Sequence, residues 1–181
     1  MALNVLCKLT DKFPRLRLII VPRHPERFAE VAKILENSGQ PWQRRSEISA
    51  HETQKHTKIL LVDTIGELGA FWGLAKIGFV GGSMGTRGGQ NMIEAAAYGS
   101  AVCFGPNTWN FKDIVTAMLA QNAAVVVRDG EEMTAFVRRC LTDTSFSAEL
   151  QENATRLIRS GQGAAKKTVD FIGGIWSDRS S

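Results

Sequence analysis

KIGFVGGSMGTRGGQNMIEAAAY, residues 76–98, runs from strand to glycine-rich turn to helix. Lys76 to Val80 reads as a strand, and Asn91 to Tyr98 has the spacing of a helix. Five glycines between them (Gly81, Gly82, Gly85, Gly88 and Gly89) allow positive φ and close backbone approach. The flanking sequence repeats the alternation. Downstream, Ala101 to Phe104 reads as a strand, Phe111 to Gln121 as a helix, and Ala124 to Val127 as another strand. Upstream, Leu16 to Val21 reads as a strand ended by Pro22 and Pro25. A helix over Glu26 to Asn37 follows and stops before Gly39. Pro41 to His56 is polar and irregular, with a short strand near Trp42 to Arg45. Lys58 to Val62 is a further strand. Ile65 to Leu74 has helical spacing weakened by Gly66, Gly69 and Gly73. From Glu131 the pattern is helical, broken near Thr142 to Ser145 and at Gly161 to Gly163. Short strands alternating with helices predict an α/β domain: a Rossmann-like parallel sheet flanked by helices. Ligands of such sheets bind beyond the carboxyl ends of the strands.

The chain has 181 residues, the length of one domain at roughly 150 residues each. Residues 1–176 are expected to form it, with 177–181 as a tail. The hydrophobic share of 44% and charged share of 22% exclude a disordered or fibrous chain. No apolar run is long enough to span a membrane. Met1 to Asp11 lacks the basic and apolar halves of a signal peptide. Cys7, Cys103 and Cys140 are widely spaced and odd in number, which argues against a disulfide framework or zinc knuckle. The net charge of +4 is mild, with no run of five like charges. A solvated surface accounts for it better than nucleic acid does.

The glycine-rich loop offers the richest chemistry. Backbone N–H groups at its junction with the helix suit an anion, and Ser83 and Asn91 can add side-chain bonds. Glu94, one turn into the helix, can accept bonds from ribose hydroxyls. The plainer reading makes Asn91 the N-cap and Glu94 its capping-box partner. At the end of the first strand, Arg23 offers a bidentate fork for phosphate or carboxylate, and His24 a donor or acid. Asp63 to Leu68 leaves the next strand and can present backbone groups to a base. The alternative is a helix start capped by Asp63 or Thr64. Trp109, Asn110 and Phe111 can wall a cleft at the exit of the Ala101 strand.

Other motifs fail on inspection. The loop lacks the G-K-[ST] of a P-loop and the register of G-x-G-x-x-G. His51 and His56 are five apart, roughly 140° around a helix, so no zinc motif forms. No metal ligand set is expected. Cys103 lacks a histidine partner for nucleophilic catalysis.

PRHPERF (22–28), DTIGELG (63–69), GGS (81–83), RGGQN (87–91) and EAAAYGSAVCFGPNTWNF (94–111) together resemble the 3-deoxy-D-manno-octulosonic acid (Kdo) transferases of lipopolysaccharide assembly. The resemblance runs from about Leu3 to Asp143. It implies a GT-B glycosyltransferase, of which this chain is similar to the C-terminal donor-binding domain. It further implies CMP-Kdo as donor, a lipid A precursor as acceptor, inverting transfer without metal or other cofactor, and a place at the cytoplasmic face of the inner membrane. The catalytic base, acceptor site and membrane surface belong to an N-terminal domain of such enzymes. No catalytic residue is therefore expected here, and the isolated piece is expected to be inactive.

By position, the resemblance implies that Ile65, Gly66 and Leu68 surround the cytosine. Gly81, Gly82, Ser83 and Asn91 would hold the phosphate, Glu94 the ribose, and Arg23 and His24 the phosphate or sugar carboxylate. It also implies a first strand and loop ahead of the Leu3 to Lys12 helix, without which the sheet is one strand short. Gln90 stands where relatives often have histidine, and Met92 where they often have proline. Two readings compete: another GT-B-like enzyme, such as a UDP-sugar epimerase or transferase, and a non-enzymatic basic module binding nucleic acid or anionic lipid.

Overall fold

The computed structural model describes residues 1–48 and 56–178, with the backbone alone from residue 162 onward. Seven α-helices and six strands alternate among the described residues. Helix α1 (Ala2–Leu9) precedes β1 (Leu18–Ile20), which a 3-10 turn over Pro25–Arg27 joins to α2 (Phe28–Glu36). Then come β2 (Trp42–Arg44), β3 (Ile59–Leu61), α3 (Leu68–Leu74), β4 (Ile77–Val80) and α4 (Met92–Ala97). The chain continues through β5 (Ala101–Phe104), α5 (Lys112–Ala120), β6 (Ala124–Val126), α6 (Gly130–Thr142) and α7 (Thr144–Asp178).

Every strand pair is parallel, as the βα alternation predicts. The strands form two three-stranded sheets, in the orders β1-β3-β2 and β4-β5-β6, rather than one. Among the described residues, β1 and β4 each pair along one edge only. Helix α1 ties the halves together. Its Leu6 packs with Ala32, Leu35, Ile59 and Leu61 of the first half, while Val5 and Leu9 pack with Ala101, Cys103, Phe136 and Val137 of the second. Val5 and Leu9, four residues apart, share one face of the helix, and Leu6, one position on from Val5, extends the buried stripe to the adjoining side.

All four residues of β5 are buried, as expected of a central parallel strand covered on both faces. Burial pushes its Cys103 thiol far up, and the Cys140 thiol of α6 up to about 11. Both thiols stay protonated and unreactive near neutral pH.

Three local expectations change. Helix α3 starts at Leu68 rather than Ile65, because Asp63 turns away to bond Ser46 instead of capping the helix. Its glycines have a packing role: a Cβ on Gly69 would lie 2.6 Å from the Tyr98 hydroxyl, so the ring rests on the bare helix backbone. Helix α7 passes through Gly161 to Gly163 and on to Asp178 without a break. A glycine inside a helix costs only about 1 kcal/mol and need not interrupt it. The break near Thr142 is real, at Asp143, whose carboxylate accepts from the Phe146 N–H and starts α7. His51 lies outside the described residues, and His56 is exposed.

Candidate functional site

A cleft of about 230 Å³ opens where the two half-sheets meet at their carboxyl ends. It is lined by Arg23, His24, Gly82, Arg87, Gly89, Gln90, Asn110 and Phe111. Three strand exits thus converge on it: β1 supplies Arg23 and His24, β4 the glycine-rich loop, and β5 the Asn110 segment.

Backbone geometry explains the glycines. Gly82, Gly88 and Gly89 adopt φ of 75°, 74° and 82°, a region where an L side chain is strained. A Cβ on Gly88 would also lie 2.6 Å from the Trp109 indole nitrogen and 2.5 Å from the Asn110 amide nitrogen. The Gly89 N–H donates to the Gly82 carbonyl (3.0 Å), closing the loop on itself. The Asn110 amide donates to the Arg87 carbonyl (3.0 Å), and the Asn110 N–H to the Gly88 carbonyl (3.3 Å). The loop is therefore fixed to the exit of β5.

Ser83 sets the other end. Its hydroxyl is 0% exposed, donates to the Val80 carbonyl (2.7 Å) and accepts from the Gly105 N–H (2.7 Å). The Asn107 N–H donates to the Ser83 carbonyl (2.9 Å). Ser83 acts here by shaping the loop; both hydroxyl bonds stay inside the protein.

The lining carries positive charge and no carboxylate. Arg23 and Arg87 are exposed and form no ion pair among the described residues, whereas nearby Arg27, Arg44 and Arg45 do. The Nδ1 of His24 lies 3.6 Å from Glu26, outside the lining.

The remaining expected residues are not part of the cleft lining. Asn91 caps α4, its side-chain oxygen accepting from the Ile93 N–H (3.1 Å), so the capping reading holds on that side. The reciprocal bond from Glu94 is absent among the described residues; Glu94 is half-buried on the first turn. Gly81 begins the loop. Helix α4 has only six residues, so the cleft's positive character comes from the arginines more than from a helix end.

Ile65, Gly66 and Leu68 sit past the end of β3. Ile65 is 82% exposed and Gly66 has φ of 88°. Their turn is braced by charge. The Asp63 carboxylate accepts from the Ser46 N–H (2.9 Å) and hydroxyl (2.7 Å) and from Arg44 (3.4 Å). Arg45 donates to Glu67 (2.8 Å), which also accepts from the Thr64 hydroxyl. Burial pushes the Asp63 carboxyl up, but these bonds win and hold it below the usual range. Glu67 is likewise lowered, chiefly by Thr64, then by Arg45.

Sequence reasoning leaves Arg87, Gly89 and Gln90 out of the site. The signal was available, since a cation between glycine pairs in a strand-to-helix loop meets whatever the loop N–H groups hold. It leaves out the Arg44, Ser46 and Arg45 braces too, because nothing in their sequence marks them as neighbours of residue 63.

No family model matches the sequence. Over 159 residues the chain is 36% identical to the 3-deoxy-D-manno-octulosonic acid transferase of Bordetella pertussis, covering 88% of this chain and 37% of that one. It is 32% identical over 165 residues to the enzyme of the same name from Haemophilus influenzae, covering 91% and 38%. The chain thus spans little more than a third of the curated relatives it matches. The crystal structure of the C-terminal CMP-Kdo binding domain of WaaA from Acinetobacter baumannii superimposes with a TM-score of 0.79 at 32% identity. That match covers 86% of this chain and 80% of the other. The α/β fold, the order of its motifs and these similarities agree: the chain belongs to the 3-deoxy-D-manno-octulosonic acid transferase family.

Proposed function

We propose that this chain is the part of a Kdo transferase that binds the donor CMP-Kdo. The observation that carries this reading is the cleft itself, where two arginines without carboxylate partners meet a glycine-rich loop. The resemblance of the crystallised CMP-Kdo binding domain to this chain supports it. The loop from Gly81 to Asn91 holds the phosphate, with Gly82 against it and Ser83 and Asn91 fixing the loop's two ends. Arg23 and His24 face the anion. Ile65, Gly66 and Leu68 receive the cytosine, and Glu94 the ribose.

In the transfer, an acceptor hydroxyl attacks the anomeric carbon of Kdo with inversion. The bond from that carbon to the phosphate oxygen breaks, and CMP leaves with the bonding electrons. Negative charge grows on the departing phosphate, and Arg23 and the loop N–H groups stabilise it in place. The base that takes the hydroxyl proton and the surface that meets the lipid A precursor lie outside this chain, in a partner region at the inner-membrane face. The reaction takes no metal or other cofactor, so a chelator leaves donor binding unchanged.

Titration with CMP, UMP and GMP, followed by backbone amide shifts, tests the reading. CMP is expected to move residues 81–94, 65–68 and Arg23, with UMP and GMP at least tenfold weaker. Equal response to all three nucleotides, or a response that vanishes at moderate salt without base preference, would favour a general anion-binding module.

A further inference from the structure

A phosphate alone does not account for this cleft. It carries two arginines from opposite half-sheets: Arg23 from the end of β1, Arg87 from the loop after β4. The two sides approach closely enough to share one charge. The carboxylate of Glu30 on α2 is lowered first by bonding and charge from Arg27, and further by the charge of Arg87. The main chain at Arg87 is fixed by the Asn110 amide, while its side chain is exposed at the cleft and free of any ion pair among the described residues.

The order of strand ends gives the two cations different tasks. In the first sheet β1 lies beside β3, and the cleft brings the end of β1 against the loop of β4 and the exit of β5. The base-facing residues lie at β3 and Arg23 at β1. Arg87 lies on the other side of the cleft from Arg23, its carbonyl bonded to the β5 exit through Asn110. A nucleotide-linked sugar laid across the cleft meets Arg23 with its phosphate and Arg87 with whatever its sugar carries. An arginine fork matches a carboxylate in two parallel bonds.

Resting on the donor-binding reading above, we propose that Arg87 is a specificity-determining residue that binds the carboxylate of the donor's sugar. Arg23 serves the phosphate. The chain would then favour a CMP-linked sugar acid over CMP itself, and over a CMP-linked sugar without an acid group.

The test compares CMP and freshly made CMP-Kdo as ligands of the chain, its Arg87→Gln and Arg87→Lys variants, and Arg23→Gln. Arg87→Gln is expected to weaken CMP-Kdo about 10- to 100-fold, the usual worth of a charged hydrogen bond, and CMP by less than about twofold on the same ground. Arg87→Lys should recover part of the loss, keeping the charge without the fork. Arg23→Gln should weaken both ligands together. Unchanged thermal midpoints will show that the variants are folded. An Arg87→Gln variant that weakens CMP as much as CMP-Kdo, or weakens neither, overturns the proposal while leaving the donor reading intact. A wild-type chain that binds CMP no better than UMP overturns the donor reading itself, and this proposal with it.

Discussion

The two half-sheets fix their functional loops by different means. In the β4-β5-β6 half, the glycine-rich loop is held by packing and by uncharged bonds. Ser83 is sealed between Val80 and Gly105, and β5 is buried throughout. In the β1-β3-β2 half, β1 and β2 are only half-buried, and the turn after β3 is held by carboxylates, a serine and two arginines. Packing resists salt and pH; ion pairs at a surface resist neither. The glycine-loop side of the cleft should therefore be the stiffer one, and the turn after β3 the part that conditions can loosen.

Gly105→Ala should have the largest effect on this contrast. The new methyl would overlap the Ser83 carbonyl, which is backbone and cannot yield, as well as the Met84 sulfur. Overpacking of this kind costs about 3 kcal/mol. Gly85→Ala, with nothing within 4 Å of the added carbon, should change stability by less than about 0.5 kcal/mol. Urea unfolding of the pair measures the difference. Similar costs for both would mean the loop is not tightly packed.

Ser83→Ala comes next. It leaves the buried Gly105 N–H without its partner, worth about 2 kcal/mol, and CMP affinity should fall because the loop loses its anchor. A loss of stability without any change in CMP affinity would show that the loop shape does not depend on Ser83.

The smallest effect is expected in the other half. Asp63→Asn should cost about 1 kcal/mol and should flatten the acid limb of the thermal midpoint. Because the folded Asp63 and Glu67 carboxyls lie below their usual values, their contribution is complete above the unfolded values near 4. It is lost as pH falls through the lower folded ones. The wild-type midpoint should therefore drop in that window more steeply than that of the variant. Parallel curves would show that the Asp63 brace contributes nothing.

The sequence made the sheet legible where apolar runs were short and bounded by glycine or proline. Ala101–Phe104 matches β5 to the residue, and the remaining strands fall within two residues of their structural bounds. It also pointed to part of the cleft lining, since Arg23, His24 and Gly82 carry local signals. Two things stayed out of reach. The division into two sheets depends on edge pairing between strands distant in sequence, which no local pattern encodes. The inward turn of the Ser83 hydroxyl depends on Gly105, 22 residues away. A serine after two glycines looks the same in sequence whether it faces a ligand or the interior.

The indoles turn this architecture into an optical instrument. Trp109 is 56% exposed, and its ring nitrogen stands over Gly88 at the lip of the cleft. Trp72 packs against the core beside Gly78, and its indole N–H is buried without a hydrogen-bond partner among the described residues. The first indole sits in water and should emit at long wavelength; the second sits in an apolar shell and should emit further to the blue. Ligand entry should perturb the red component and unfolding the blue. With the other two tryptophans, Trp42 and Trp176, replaced by phenylalanine, a single emission spectrum, recorded without any attached label, should then separate occupancy of the cleft from integrity of the sheet beneath it.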